Sequence, residues 1–212
     1  DNAYAISLTR HAREAGADAV LLVTPYYNKT TQRGLVQHYL AVADAVDIPI
    51  ILYNVPSRTG MGFTAESYLA LSKHPNINGI KEASGDFSLV AATRHLCGDE
   101  MNIWSGNDDH TLPILALGGC GVISTTSNVA PEVMHGICER FFAGDLAGAQ
   151  RLQLDWQDLM HDLFIETNPI PVKTAMQLMH YPVGGLRLPL YEMSEANRAR
   201  LEATLARHGL LG

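Results

Sequence analysis

Short apolar runs alternate with helix-like segments along roughly the first 125 residues, and this alternation limits the fold more than any other feature. The runs at 19–23 and 50–55 are nearly continuous stretches of aliphatic residues, typical of strands that are buried on both faces. Three more short runs follow at 77–81, 102–105 and 121–125. Strands that are separated by helices pair in parallel, so the pattern predicts an α/β fold with about five parallel strands.

The last third of the chain has a different pattern. From Pro131 onward the strand signal ends, and apolar residues recur at helical spacing, first at Met134, Ile137, Cys138 and Phe141. The sequence therefore predicts a partial (β/α) barrel over residues 1–130 and a C-terminal helical region over residues 131–212.

Three polar residues are predicted to begin helices. Thr64, Asp86 and Ser194 each stand directly before a helix-like segment. In that position the side-chain oxygen accepts a hydrogen bond from an N–H group of the first helical turn.

The composition limits the partners of the chain. Hydrophobic residues make up 47% and charged residues 17%, and the formal net charge is -7. This acidic balance gives no electrostatic basis for nucleic-acid binding, and the apolar runs are too short to span a bilayer. Cys97, Cys120 and Cys138 form no Cys-x-x-Cys pair, so reduced core thiols are expected. We expect a cytoplasmic globular protein with no nucleic-acid or membrane partner.

The sequence does not predict a metal or an organic cofactor. His110 follows two acidic residues, Asp108 and Asp109, and His95 lies near Cys97. Neither pair belongs to a cluster with the spacing of a known metal site.

Lys81 is the strongest candidate for a reactive group. It stands in the segment Ile77-Asn78-Gly79-Ile80-Lys81, where an apolar strand ends on an amine. Apolar neighbours at the mouth of a parallel sheet would lower the pKa of this amine, as Schiff-base chemistry requires. The alternative is an ordinary strand-end lysine whose ammonium group extends into solvent.

A tyrosine and an arginine are predicted to lie close to Lys81. The preceding strand ends on Tyr53, and the segment that follows it contains Arg58. Successive parallel strands end at the same edge of a sheet, so the three side chains should converge. A phenol transfers protons and a guanidinium binds a carboxylate through two bonds, which suits a carbonyl reaction. Strand packing for Tyr53 and solvation for Arg58 are the alternatives.

Several longer motifs carry a resemblance to a known family. They are Val23-Thr24-Pro25-Tyr26-Tyr27-Asn28, Tyr53-Asn54-Val55-Pro56-Ser57-Arg58-Thr59-Gly60, Gly79-Ile80-Lys81-Glu82-Ala83, Ser105-Gly106-Asn107-Asp108, Gly119-Cys120-Gly121-Val122-Ile123-Ser124 and Asn168-Pro169-Ile170-Pro171-Val172-Lys173. In this order they resemble the dihydrodipicolinate synthase family, which are pyruvate-dependent class I aldolases of bacterial lysine biosynthesis. The resemblance extends over the whole chain.

The resemblance implies three catalytic residues. Lys81 resembles the lysine that forms an imine with pyruvate, and Tyr53 resembles the central proton shuttle of the family. Tyr27 resembles the tyrosine that crosses a subunit interface to complete the neighbouring active site, which implies a homodimer or a homotetramer. An exposed loop aromatic is the alternative for Tyr27.

The resemblance also implies three substrate-binding positions. Arg58 resembles the residue at the site entrance that receives the carboxylate of L-aspartate semialdehyde. Gly106 and the backbone carbonyl of Ile123 resemble the pocket wall near pyruvate, for which plain barrel lining is the alternative. The implied partners are therefore two small molecules, pyruvate and L-aspartate semialdehyde.

The family pattern implies a complete TIM (β/α)8 barrel, but this sequence predicts only an incomplete one. About five of eight strands are predicted, followed by the C-terminal helices, and five strands cannot close a small barrel. Truncation, a separate polypeptide and replacement by a partner subunit are three explanations. The family's Gly-Thr-Thr-Gly-type loop has no counterpart here, and losing one preorganised donor costs about 10² to 10³ in rate. The chain alone is therefore expected to be poorly active.

Three alternative functions are compatible with these features. The first is a lyase that condenses pyruvate with L-aspartate semialdehyde to 4-hydroxy-tetrahydrodipicolinate. The second is a noncatalytic remnant or assembly piece that keeps the family's sequence. The third is another pyruvate aldolase, such as an enzyme similar to N-acetylneuraminate lyase, which the Ser-Arg-Thr segment at Arg58 disfavours.

Overall fold

The computed structural model describes residues 1–212 and contains five strands in the sheet order β1-β2-β3-β4-β5. The strands are β1 (Val20–Val23), β2 (Ile50–Asn54), β3 (Ile77–Glu82), β4 (Asn102–Ser105) and β5 (Gly121–Val122). The pairs β1–β2, β2–β3 and β3–β4 are parallel. The predicted α/β sheet of about five strands is confirmed.

Helices connect the strands and form the last third of the chain. Their bounds are α1 (Asn2–Glu14), α2 (Gln32–Ala45), α3 (Pro56–Thr59), α4 (Ala65–Leu71), α5 (Phe87–Cys97), α6 (Thr111–Ala116), α7 (Pro131–Phe142), α8 (Leu146–Asp155), α9 (Gln157–Asp162), α10 (Ile170–Leu178) and α11 (Glu195–Arg207). None of them is long and apolar enough to cross a membrane.

The three predicted N-caps are confirmed. Thr64 accepts a hydrogen bond from the Ser67 N–H at the start of α4, and Asp86 accepts one from the Leu89 N–H at the start of α5. Ser194 does the same for α11. Each cap satisfies one of the N–H groups that the first helical turn leaves without a backbone acceptor.

The two faces of the sheet differ in burial. Alternate strand residues such as Leu52, Ile80 and Ile103 are almost fully buried in the core that the helices form with the sheet. The residues between them, including Tyr53, Lys81 and Trp104, are only half-buried. Since side chains alternate across a strand, the first set lies on the helix-covered face and the second on the opposite face.

Strand β5 is shorter than the sequence predicts. The run at 121–125 suggests a strand over all five residues, but pairing ends at Val122. The N–H groups of Thr125 and Thr126 donate to the carboxylate of Asp108 at 3.1 and 2.8 Å instead. A buried carboxylate therefore turns the chain where a longer strand would have continued.

Chain contacts divide the molecule into two compact units. The first contains residues 1–106 and 113–121, and the second contains residues 107–112 and 122–212. The first unit holds β1 to β4 and their helices. The second unit holds α7 to α11. The domain boundary at residue 130 stays a prediction.

Candidate active site

Lys81 and Tyr53 lie side by side at the carboxyl ends of adjacent parallel strands. They are direct partners in the register of β2 and β3, so their side chains leave the sheet on the same face. Lys81 Nζ is 4.5 Å from the centroid of the Tyr53 ring. An ammonium group at that distance is attracted by the face of the ring.

The phenol of Tyr53 is suited to hold a proton at neutral pH. Burial raises the pKa of Tyr53, while the positive charge of Arg58 opposes this rise. A group that remains a neutral O–H can donate a proton to a developing oxyanion and recover it later. Arg58 is therefore close enough to Tyr53 for its positive charge to lower the pKa of the phenol.

A hydroxyl pair fixes the short helix that carries Arg58. Thr24, at the end of β1, donates to the hydroxyl of Thr59 at 2.8 Å, and both side chains are buried. Thr59 in turn donates to the carbonyl of Met61 at 2.8 Å. Gly60 ends α3 with a φ of 73°, a conformation that glycine adopts without strain. Arg58 itself is exposed on this anchored turn.

Gly106 closely approaches the stem of Lys81. A methyl group at this position would lie 2.7 Å from Cβ of Ala83 and 3.1 Å from Cγ of Lys81. The backbone N–H of Gly106 donates to the carbonyl of Glu82 at 2.7 Å, which holds this close approach in place. Gly106 therefore lines the space around Lys81.

We expect Gly106→Ala to slow the reaction of Lys81 with a keto acid by about 10- to 100-fold, because displacing a reacting group by about 1 Å has effects of this size. The measure is the rate of reductive trapping with pyruvate and borohydride, followed by mass spectrometry. Gly185→Ala is the matched control, since a methyl group at Gly185 meets no atom within 4 Å. Equal trapping rates in the two variants would contradict the assigned role of Gly106.

Tyr27 does not lie against Lys81 and Tyr53 within this chain. Its side chain is 92% exposed, and its φ of 65° is unusual for a bulky residue. A left-handed backbone conformation in a non-glycine residue is maintained only when the surroundings favour it. The Tyr27 ring is thus almost fully exposed in the single chain.

Ile123 follows β5 in the second unit and is half-buried. The loop that it begins is fixed by Asp108, which is 2% exposed. Besides the two N–H groups already described, Asp108 Oδ2 accepts a bond from the Thr126 hydroxyl at 2.9 Å. No local sequence pattern indicates this role, because the contacts join residues 17 and 18 positions apart.

Asn54 and Glu82 are two further residues whose role the sequence did not reveal. Both are buried, and the Asn54 amide donates to both carboxylate oxygens of Glu82 at 3.0 Å. A signal was present, since each residue directly follows a candidate catalytic residue on a strand. Polar groups at the same position of two consecutive strands indicate a cross-strand pair.

No group of three or more histidine, cysteine, aspartate or glutamate side chains is arranged to hold a metal ion. The candidate chemistry rests on the amine of Lys81 and the phenol of Tyr53, which lie side by side. A lysine amine beside a tyrosine phenol, at the carboxyl ends of parallel strands, is the arrangement of an enzyme that forms a Schiff base with a carbonyl substrate.

Comparisons with known proteins place the chain within that class. Residues 2–208 match the model of the dihydrodipicolinate synthetase family, and the chain belongs to this family. A 4-hydroxy-tetrahydrodipicolinate synthase of Clostridium perfringens (strain SM101 / Type A) is 54% identical over 206 residues, which are 97% of this chain and 71% of that relative. One of Thermoanaerobacter sp. (strain X514) is 52% identical over 212 residues, which are 100% of this chain and 71% of that relative.

The solved structures agree. The dihydrodipicolinate synthase of Thermotoga maritima superposes with a TM-score of 0.97 at 42% identity, covering 100% of this chain and 73% of the other. The predicted family is confirmed, and so is the fold prediction of part of a (β/α)8 barrel followed by C-terminal helices.

Proposed function

We propose that the chain acts as a 4-hydroxy-tetrahydrodipicolinate synthase, a lyase that condenses pyruvate with L-aspartate semialdehyde. The observation that carries this proposal is the position of Lys81 Nζ, 4.5 Å from the Tyr53 ring centroid at the carboxyl ends of β2 and β3. The relatives that carry this enzyme name support the same reaction.

The reaction begins at Lys81. Its neutral amine attacks the keto carbon of pyruvate, and the resulting carbinolamine loses water to give an imine. The protonated imine withdraws electrons from the adjacent methyl group, which releases a proton as the enamine forms. Tyr53 accepts and returns protons in these steps, since its phenol ring lies 4.5 Å from Lys81 Nζ.

The second half of the reaction joins the two substrates. The enamine carbon attacks the aldehyde carbon, a carbon–carbon bond forms, and the aldehyde oxygen takes up a proton. The amino group of the semialdehyde then attacks the imine carbon, closes the ring and displaces the Lys81 amine. Arg58 is positioned to bind the carboxylate of the semialdehyde, because its guanidinium is exposed on a turn anchored beside Tyr53.

Tyr27 supports an oligomeric enzyme. The Tyr27 side chain is 92% exposed and its backbone has a φ of 65°, so its ring is available to a second copy of the chain. In the proposed homodimer or homotetramer, the phenol completes the proton relay of a neighbouring site.

Reductive trapping tests the proposed function. Borohydride converts the imine of Lys81 and pyruvate into a stable secondary amine, so we expect a pyruvate-dependent adduct that peptide mapping places on Lys81. The semialdehyde should consume the intermediate and reduce the trapped fraction. No adduct at saturating pyruvate would overturn the proposal and would leave a noncatalytic assembly role.

A further inference from the structure

Two dipeptides connect the catalytic face of the sheet with its buried face. Tyr53 and Asn54 are neighbours on β2, and Lys81 and Glu82 are neighbours on β3. The register pairs Tyr53 with Lys81 and Asn54 with Glu82. Because side chains alternate, each strand presents a catalytic residue on one face and a buried polar residue on the other.

Glu82 is the centre of a largely buried polar network. Its side chain is 3% exposed and accepts the two bonds from the Asn54 amide, one from the Tyr68 hydroxyl at 3.1 Å and one from the Ser84 N–H at 2.7 Å. These partners come from β2, from α4 and from the turn after β3. One carboxylate thus joins three segments at the level of Lys81.

The backbone strengthens the same junction. The N–H of Ala83 donates to the carbonyl of Asn54 at 2.9 Å, and the carbonyl of Glu82 accepts the N–H of Gly106 at 2.7 Å. Asn54 also accepts a bond from the N–H of Phe63 at 3.4 Å. The ends of β2, β3 and β4 are therefore linked through the cross-strand partners Asn54 and Glu82.

The register of β2 and β3 must be fixed near the carboxyl ends of the two strands. The pairing is interrupted between Ile50 and Ile51, so the amino ends of the strands do not fix the register of their carboxyl ends. A slip of one residue would move Lys81 to the opposite face and away from Tyr53. The bidentate bond between Asn54 and Glu82 fits only one register.

We propose that Glu82 is a positioning residue for the Lys81–Tyr53 pair, acting through its cross-strand bond to Asn54. This inference rests on the proposed function and goes beyond it. Glu82 does not touch the substrate in this proposal, because its carboxylate lies on the helix-covered face of the sheet. Its effect is to keep the amine over the phenol ring.

The test compares Glu82→Gln with the exchange variant Asn54→Asp/Glu82→Gln. The single substitution places an amide against the Asn54 amide, so one cross-strand bond is lost. The double substitution restores the bond with donor and acceptor exchanged. We expect pyruvate trapping at Lys81 to slow by about 10- to 100-fold in Glu82→Gln. The exchange variant should recover most of this loss.

Tyr39→Phe controls for the loss of a buried hydrogen bond elsewhere in the core. The Tyr39 hydroxyl donates to the carbonyl of Leu22 at 3.1 Å, and the side chain is 0% exposed. This variant should trap pyruvate within about twofold of the original chain, with all variants compared well below their unfolding midpoints. Equal trapping in Glu82→Gln and Tyr39→Phe, or no recovery in the exchange variant, would overturn the inference.

Amide hydrogen exchange separates this inference from the proposed function. We expect faster exchange at residues 53–54 and 81–83 in Glu82→Gln than in Tyr39→Phe, whether or not pyruvate binds. Absence of any adduct in the original chain would remove the proposed function and, with it, the positioning role. Unchanged exchange with normal adduct formation would reject the positioning role alone.

Discussion

Replacing Lys81 by alanine should abolish the pyruvate adduct and lower any condensation rate by about 10⁶-fold, the scale seen when a covalent nucleophile is removed. The tyrosine beside this position forms no imine, so it does not replace the amine. The variant should still fold, since the Lys81 side chain is only half-buried. Mass mapping after borohydride treatment measures the adduct, and circular dichroism verifies the fold.

Two further substitutions sharpen this prediction. Lys81→Arg keeps a cation near the Tyr53 ring but has no amine that forms an imine, so it should be as inactive as alanine. Lys73→Ala is the matched control, since Lys73 is an exposed lysine beyond the end of α4. Substantial activity in Lys81→Arg would mean that the residue acts as a charge, and the Schiff-base mechanism would be wrong.

Asp108→Ala should cause a large loss of stability, because Asp108 is 2% exposed and accepts three hydrogen bonds in the second unit. The substitution leaves the N–H groups of Thr125 and Thr126 and the Thr126 hydroxyl without their acceptor. Each buried group that loses its partner costs about 1–3 kcal/mol, so we expect a loss of about 3–5 kcal/mol. For a chain of this size the melting temperature should fall by roughly 10 °C.

Asp108→Asn tests how much of this loss comes from the hydrogen bonds that the side chain accepts. Its side-chain oxygen still accepts both N–H groups, but its amide must occupy the place of Oδ1, which is buried and makes no hydrogen bond. We expect an intermediate loss of about 1–2 kcal/mol. Urea unfolding measures both variants. A loss below about 1 kcal/mol in Asp108→Ala would show that other groups hold the loop.

The sequence predicted the sheet because its signal is local. Aliphatic runs such as 50–55, followed by capped helices at Thr64 and Asp86, determine strands and helices within a few residues. The approach of Tyr53 and Lys81 was also predictable, since parallel strands end at one edge. The structure adds the direct register between them and the distance of 4.5 Å.

The rest of the site depends on contacts that are distant in sequence. Asp108 bonds to residues 17 and 18 positions away, and this bond ends β5 early. Asn54 and Glu82 are 28 positions apart. Taken singly, each is an ordinary polar residue at a strand end and does not indicate the pair. Their burial depends on helix α4, which no local pattern relates to them. The outward direction of Tyr27 likewise depends on backbone conformation rather than residue type.

The hydroxyl pair of Thr24 and Thr59 has a consequence for engineering. The pair anchors helix α3, while Arg58 on the same helix stays exposed. In the proposed reaction Arg58 binds the second substrate, so substitutions at this turn are expected to change the aldehyde that is accepted without disturbing the strands that hold the amine. A library restricted to positions 57 and 58 would search for new aldehyde partners on a scaffold whose carbon nucleophile is left intact.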